Sequence, residues 1–130
     1  MYLDSNLFVF ALLDKTRRGD DTRKFLGELH EKQRAITSSL TFDEIMWVLI
    51  KNRKKHLLRT AIEGIYSIVN LEIVGVSPLI PILALELMEK YDIMPRDAFH
   101  AAVMQIKNEK EIVTDDKDFD RIDGIKRTWF

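Results

Sequence analysis

Short apolar runs alternate with longer segments of helical periodicity along the whole chain. The runs are rich in β-branched and aromatic side chains, which is typical of buried strands. Strands separated by helices form βα units, whose strands pair in parallel through right-handed crossovers. The sequence therefore predicts an α/β fold with a parallel sheet. The predicted strands are residues 1–3, 35–38, 71–76, 111–114 and 124–130, the last of them an edge strand.

Six segments between these runs have apolar residues at helical spacing. In the second, Asp20, Asp21 or Thr22 is the predicted first residue of the helix. Pro78 and Pro81 suit the first turn of the fifth. The segments are 5–13, 17–33, 40–52, 56–70, 79–91 and 94–110.

Composition limits the classes of function. With 130 residues and no linker or repeat, we expect one domain over 1–130. The net charge of −1 provides no global basic field for nucleic acid, and the absence of cysteine excludes thiolate chemistry. The apolar run at residues 6–13 is too short for a membrane span and lacks the basic lead of a signal peptide. A soluble, cytoplasmic protein that does not contact a membrane is expected.

Acidic residues follow the predicted strands. Asp4 follows the first strand, and Asp115, Asp116 and Asp118 follow the fourth, in the stretch "IVTDDKDFD". Asp97 lies in the first turn of the sixth helix, and Glu44, or its neighbour Asp43, in the first turns of the third. In open α/β sheets the functional site lies beyond the carboxyl ends of the strands. Acids distant in sequence are therefore expected to converge on one rim of the sheet.

Each acid alone also has a structural interpretation. Asp4 could cap a helix, Asp97 could favour the helix dipole, and the aspartate run could form a turn. Together, however, unpaired carboxylates repel one another, and a bound divalent cation is the usual way in which proteins offset this repulsion. Hard oxygen ligands without thiolates favour Mg²⁺ or Mn²⁺. An EF-hand is excluded, because Arg121 and Arg127 occupy the positions where that loop needs Gly and Glu.

Four stretches of this sequence resemble the acidic motifs of PIN-domain nucleases. They are "YLDSN" (2–6), "SSLTFDEIMWVL" (38–49), "PRDAFHAA" (95–102) and "IVTDDKDFD" (112–120). Length and spacing resemble the branch that contains VapC-type ribonuclease toxins of type II toxin–antitoxin pairs. The resemblance implies a three-layer α/β/α sandwich with a mostly parallel central sheet of about five strands. It also implies a metal-dependent endonuclease for single-stranded RNA, often a homodimer, with a small antitoxin protein as partner.

The resemblance also implies site residues. The catalytic acids would be Asp4, Glu44, Asp97 and Asp116, with Asp4, Asp97 and Asp116 as ligands of one or two Mg²⁺ or Mn²⁺ ions. Glu44 would bind directly or through water. The fourth motif usually reads Thr-x-Asp-x-Asp-Phe, which favours Asp116 over Asp115. Supporting residues are Asn6, Thr114 and Asp118, where Thr114 or Asn6 would orient the attacking water.

Further residues are candidates for binding or support. The basic run at the end of the third helix is the best candidate for holding RNA phosphates, although a solvated corner between helices is the slightly favoured explanation. His100 could be a metal ligand or general acid, but we prefer a supporting polar role. Trp47 is expected in the core or a dimer interface, and Trp129 could stack on bases. Apolar residues of the helices within 40–70 are expected to meet a second subunit or an antitoxin helix. The RNA-binding candidates are Lys51, Arg53, Lys54 and Lys55.

Three other functions compete with the toxin. A housekeeping PIN-like RNA-processing nuclease would share the chemistry. A receiver domain also has an acidic Mg²⁺ pocket, but it needs an acidic pair after the first strand, where this chain has only Asp4. A non-catalytic interaction module would use the acids for stability alone.

Overall fold

The computed structural model describes residues 1–29 and 33–130. Residues 30–32, which the predicted second helix includes, lie outside the described residues. Within the described residues, five strands and six α-helices follow one another: β1 Tyr2–Leu3, α1 Ser5–Leu13, α2 Arg17–Glu28, β2 Ala35–Ser38, α3 Ser39–Lys51, α4 Leu58–Tyr66, β3 Leu71–Val74, α5 Ile80–Lys90, α6 Pro95–Ile106, β4 Glu111–Val113 and β5 Lys126–Thr128. Two 3₁₀ helices are Lys55–Leu57 and Lys117–Arg121.

The five strands form one parallel sheet in the order β3-β2-β1-β4-β5. The chain builds outward from β1 to β3 on one side and then crosses to add β4 and β5 on the other. The switch point therefore lies between β1 and β4, which pair through Tyr2 with Ile112 and Leu3 with Val113. A switch point is where open α/β sheets bind ligands.

Two hydrophobic cores cover the two faces of the sheet. Side chains of successive strand residues point to opposite faces. Accordingly, Tyr2 and Ile112 pack in the core that contains residues of α5 and α6. Leu3 and Val113 pack in the core formed with α1, α3 and α4. This arrangement confirms the predicted three-layer α/β/α sandwich with a parallel sheet of five short strands.

The second helix begins earlier than predicted. It starts at Arg17, after Thr16, rather than at Asp20, Asp21 or Thr22. The Asp14 carboxylate accepts hydrogen bonds from the Thr16 backbone at 2.7 Å and from Arg18 at 2.8 Å, which fixes the first turn. A Cβ at Gly19 would collide with the Asp14 carbonyl oxygen. Gly19 thus permits a close approach of the backbone rather than breaking the helix.

Other predicted bounds need smaller corrections. The predicted helix 56–70 is a 3₁₀ turn followed by α4, which ends at Tyr66, and the strand 71–76 ends at Val74. Pro81 occupies the first turn of α5, whereas Pro78 precedes the helix. No helix of the described ranges combines the length and apolar character needed to cross a membrane.

Candidate active site

The carboxyl ends of β1 and β4 place two of the predicted acids on one rim of the sheet. Asp4 directly follows β1 and is also the N-cap of α1, where its Oδ1 accepts from the Ser5 amide at 2.7 Å. Thr114 and Asp116 follow β4, the neighbour of β1. The helix-capping interpretation of Asp4 is therefore correct, and its other carboxylate oxygen, Oδ2, accepts from the hydroxyl of Thr114 after β4.

Three acids form an open cluster on this rim. Asp97 lies in the first turn of α6, and Asp116 and Asp118 lie at the start of the 3₁₀ helix that follows β4. One carboxylate oxygen of each lies within 4.8 Å of the others. The Asp118 amide donates to Asp116 Oδ1 at 2.9 Å, which orders this turn. Asp115 is not a member of the cluster.

Crowding shifts the ionisation of Asp97. Partial burial, followed by the charges of Asp116, Asp4 and Asp118, raises the pKa of Asp97 from 3.8 to about 6, against an opposing effect of His100. Asp118 has a partner in Arg121, at 3.3 Å. Within residues 1–29 and 33–130, no salt bridge joins Asp97 or Asp116 to a basic side chain. Repulsion from the neighbouring carboxylates therefore acts most clearly on Asp97.

A second, buried cluster contains Asp4, Glu44 and His100. His100 Nε2 lies 2.9 Å from Glu44 Oε2 and 3.9 Å from Asp4 Oδ1. Glu44 projects inward from α3 and is 7% exposed, whereas its neighbour Asp43 is exposed. Of the two acids that the sequence left open, Glu44 is the one near the rim.

The two clusters influence each other electrostatically. Burial raises the pKa of Asp4, and Glu44 adds to this effect, while His100 and Thr114 oppose it. For Glu44, burial would raise the pKa, but the hydrogen bond and charge of His100 outweigh it and lower the pKa overall. Burial alone would lower the pKa of His100, but Glu44, Asp4 and Asp97 raise it overall. His100 thus partly compensates the buried pair.

Thr114 and Asn6 connect Asp4 to the loop after β4. The Thr114 hydroxyl donates to Asp4 Oδ2 at 2.7 Å and accepts from Asn6 Nδ2 at 2.8 Å and from the Asp116 amide at 3.0 Å. Asn6 Nδ2 also donates to Asp115 Oδ1. The hydroxyl has therefore used its one donor and both acceptor sites. By contrast, Asn6 Oδ1 is buried without a hydrogen-bond partner among the described residues.

The predicted RNA-binding residues lie apart from these acids. Lys51 ends α3, about two helical turns beyond Glu44. Arg53 has a left-handed backbone with φ 59°, which favours glycine. Lys54 and Lys55 follow, and all four side chains are exposed. The structure does not bring this group together with the carboxylates, and its role stays a prediction.

The structure corrects the expectation for Trp47 and adds Tyr2 to the candidate residues. Trp47 is 59% exposed, so the prediction that it packs in the core is wrong and only an interface remains. Trp129 stacks on Phe130 with ring centroids 4.8 Å apart. Sequence reasoning missed Tyr2, whose fully buried hydroxyl lies 2.5 Å from His100 Nδ1. A hydroxyl within an otherwise apolar strand next to Asp4 was the available signal.

The donor set of the rim fits a divalent cation. Asp97, Asp116 and Asp118 offer hard oxygen atoms at a spacing that one ion can bridge, and mutual repulsion favours a cation there. No thiolate is available, because the chain has no cysteine. These features match Mg²⁺ or Mn²⁺ better than zinc or copper.

Comparison with known proteins identifies the family. The sequence model of the PIN domain matches residues 1–125 of this chain. The chain belongs to the PIN-domain family. No protein of curated function is significantly similar to it in sequence.

Solved structures share this PIN fold at low sequence identity. VapBC2 of Rickettsia felis, bound to a DNA fragment from its promoter, superposes with a TM-score of 0.78 at 22% identity, over 98% of this chain and 96% of the other. The sarcin–ricin loop cleaving toxin VapC20 of Mycobacterium tuberculosis gives 0.77 at 17% identity, over 92% of each chain. DNA-bound VapBC of Salmonella typhimurium gives 0.71 at 23%, over 98% and 96%. At these identities the likeness shows the fold.

Proposed function

We propose that this PIN-domain protein is a Mg²⁺- or Mn²⁺-dependent endoribonuclease that hydrolyses phosphodiester bonds of single-stranded RNA, and that it is the toxin of a toxin–antitoxin pair. The observation that carries the proposal is the convergence of acids from separate segments on the switch-point rim. Structural likeness to VapC20, a toxin that cleaves the sarcin–ricin loop, supports a nuclease rather than a non-catalytic module.

The acids would bind the cation, and the positive charge of the bound cation would allow the anionic RNA to approach. Asp97 and Asp116 would bind it from the rim, Asp4 through the oxygen that Thr114 orients, and Glu44 directly or through water; Asp118 would assist. A divalent ion bound there lowers the pKa of a bound water and stabilises the charge that develops on the phosphate. Without that positive charge, the rim would repel RNA.

Asn6 is a better candidate than Thr114 for orienting the attacking water. The Thr114 hydroxyl has no remaining donor or acceptor, because it is occupied by Asp4, Asn6 and Asp116. The buried Asn6 Oδ1 retains its acceptor capacity. We therefore assign Thr114 the role of fixing Asp4, which leaves Asn6 as the candidate for orienting the attacking water.

Cleavage of total RNA tests the function. We expect fragments with Mg²⁺ or Mn²⁺ and none with EDTA. Asp4→Asn should lower kcat by about 10²–10³-fold, as expected for the loss of one electrostatic group, while keeping the helix cap that asparagine also provides. Asp43→Asn, on the exposed neighbour of Glu44, is the matched control and should retain activity. Cleavage that persists in EDTA or in Asp4→Asn would contradict the proposal.

An apolar groove supports the antitoxin part of the proposal. It has a volume of about 340 Å³ and lies among α1, α2, α3 and α4. Glycine and alanine residues in its walls allow close approach of a partner backbone. VapBC assemblies among the structural neighbours are the reason for choosing an antitoxin helix as the occupant. Its lining includes Phe8, Ala11, Leu12, Gly27, Gly64 and Ile65.

Filling this groove should prevent antitoxin binding without unfolding the protein. A Cβ at Gly64 would meet nothing within 4 Å. A residue with a side chain favours a helix by roughly 0.5–1 kcal/mol over glycine. Gly64→Arg is thus expected to keep or raise the thermal midpoint. Its affinity for the protein encoded beside it, measured by calorimetry, should fall at least tenfold. Gly75→Arg, equally open but outside the groove, is the control.

The absence of a partner encoded beside the gene, together with unchanged growth when the protein is expressed, would favour the housekeeping nuclease.

The homodimer stays a prediction. Trp47, Ile50 and Tyr66 are exposed and supply apolar surface for it. As a toxin that cuts RNA, the protein would act in the cytoplasm.

A further inference from the structure

A chain of buried polar groups links β1, α6 and α3 behind the rim. Tyr2, His100 and Glu44 are 0%, 1% and 7% exposed. The Tyr2 hydroxyl lies 2.5 Å from His100 Nδ1, and His100 Nε2 lies 2.9 Å from Glu44 Oε2. The rings of Tyr2 and His100 meet edge to face, with centroids 5.6 Å apart. Contacts on both sides therefore fix the imidazole in position and orientation.

Both ring nitrogens of His100 are engaged. An ionised carboxylate only accepts hydrogen bonds, so Nε2 carries the proton that is donated to Glu44. That same proton lies on the side of Asp4, whose Oδ1 is 3.9 Å away. A protonated nitrogen has no lone pair for a cation. His100 is thus unsuited to be a ligand, although its nitrogen lies within 4.8 Å of the two acids.

We propose that Tyr2 and His100 are positioning residues of the nuclease: Tyr2 locks the imidazole, and the imidazole holds the Glu44 carboxylate in the orientation that serves the cation. This inference rests on the proposed function. It assigns His100 of the buried cluster to orientation, while Asp4 and Glu44 serve the ion together with the open cluster of Asp97, Asp116 and Asp118. A buried carboxylate that lacked this donor would be free to turn away from the rim or to take up a proton.

Nitrogen NMR of the imidazole tests the hydrogen bonds directly. In a long-range ¹H–¹⁵N spectrum of the wild-type protein, His100 should show a protonated Nε2, before and after addition of Mg²⁺. The signal is assigned by its loss in His100→Gln. A bare Nε2, or an Nε2 that loses its proton when Mg²⁺ is added, would identify a metal ligand and overturn the inference.

Variants test the consequence for the cation and the reaction. Tyr2→Phe removes one hydroxyl and keeps the ring. It should weaken Mn²⁺ binding, measured by electron paramagnetic resonance, and lower kcat, each by about tenfold, as expected for residues that orient metal-binding groups. The KM for RNA should remain within twofold of the wild-type value, because Tyr2 and His100 are both buried and lie away from the surface that would contact RNA. Unchanged Mn²⁺ affinity and kcat in folded Tyr2→Phe would contradict the inference.

Replacements of His100 separate positioning from packing. The Gln amide nitrogen reaches the place of Nε2 and can still donate to Glu44, whereas the shorter Asn reaches only the place of Nδ1. His100→Gln should retain most of the Mn²⁺ affinity and kcat, and His100→Asn should lose both about tenfold. Equal losses in two variants with equal thermal midpoints would mean that His100 only fills space.

The outcomes also distinguish this inference from the proposed function. Wild-type protein that binds Mn²⁺ without cutting RNA would refute the nuclease, while the NMR and Mn²⁺ measurements still decide the role of His100. Wild-type cleavage combined with unaffected variants would refute only the positioning role. Wild-type protein that binds no Mn²⁺ would refute both.

Discussion

Asp97→Asn is expected to lower the kcat of RNA cleavage strongly while making the metal-free protein more stable. The loss of activity follows from the removal of one negative oxygen donor from the open cluster of Asp97, Asp116 and Asp118. A loss of about 10²–10³-fold in kcat is the magnitude expected for a group that stabilises charge in the transition state. Single-turnover cleavage of a defined RNA in Mg²⁺ would measure it.

The gain in stability follows from the raised pKa of Asp97, which is about 6 in the folded protein against an ordinary value of 3.8. The folded state therefore binds the proton more tightly than the unfolded state. Stability falls as pH rises from about 4 to about 6, and above that range the folded protein carries the full cost of the charge. Two pKa units correspond to about 3 kcal/mol. Solvent screening of this half-buried group reduces the expected gain to about 1–2 kcal/mol.

Urea denaturation in EDTA at pH 7.5 and pH 4 would measure this effect. Asp97→Asn should exceed the wild type at pH 7.5, and the difference should disappear at pH 4. Saturating Mg²⁺ should reverse the order, because an ion that binds only the folded state stabilises the wild type. Asp43→Asn, on the exposed side of α3, should change none of these values. A variant that is less stable at pH 7.5 in EDTA would contradict the assignment of repulsion at this rim.

The order of elements could be predicted because the apolar runs are short and separated by clear helical periods. Alternation within the strands also has a direct structural consequence: Tyr2 and Leu3 serve opposite cores, as do Ile112 and Val113. The order of strands in the sheet does not follow from such local patterns. It depends on contacts between β1 and residues more than a hundred positions away.

The start of α2 escaped prediction for a tertiary reason. Charged residues and Gly19 resemble a loop in sequence, yet the glycine is needed where the helix passes the Asp14 carbonyl. Asp14 itself ends α1 and at the same time fixes the first turn of α2 through Thr16 and Arg18. The contact between α1 and α2 therefore fixes the residue at which α2 begins, which helix propensity alone does not determine.

The acids of the candidate site were predictable as types and positions, but their grouping was not. Strand ends indicated Asp4 and the run of Asp115, Asp116 and Asp118, and helix starts indicated Asp97 and either Glu44 or Asp43. The family motifs then favoured Glu44 and Asp116. Only the fold separates them into a buried pair that shares His100 and an open group on the rim. Their roles stay predictions that the substitutions above test.

Phe119→Ala is expected to be the most destabilising of the substitutions considered. Phe119 is fully buried and lies in the 3₁₀ helix Lys117–Arg121, where it packs in the core with residues of α5 and α6. Truncation of a buried phenylalanine costs about 3–5 kcal/mol. Domains of this kind are stable by only about 5–15 kcal/mol, so urea denaturation should show a much lower midpoint. Phe130→Ala, at an exposed residue, should cost about 1 kcal/mol.

The packing of Phe119 is also expected to affect the geometry of the open cluster, because Phe119 directly follows Asp118 and anchors the turn that contains Asp116. Phe119→Leu keeps a buried apolar side chain and should remain folded, at a cost smaller than that of alanine. If the anchored turn sets the spacing of the open cluster, Phe119→Leu should weaken Mg²⁺ binding more than its loss of stability explains. Thermal shift against Mg²⁺ concentration, compared with Phe130→Ala, would measure this. Equal Mg²⁺ dependence in both variants would mean that the acids are positioned independently of the core.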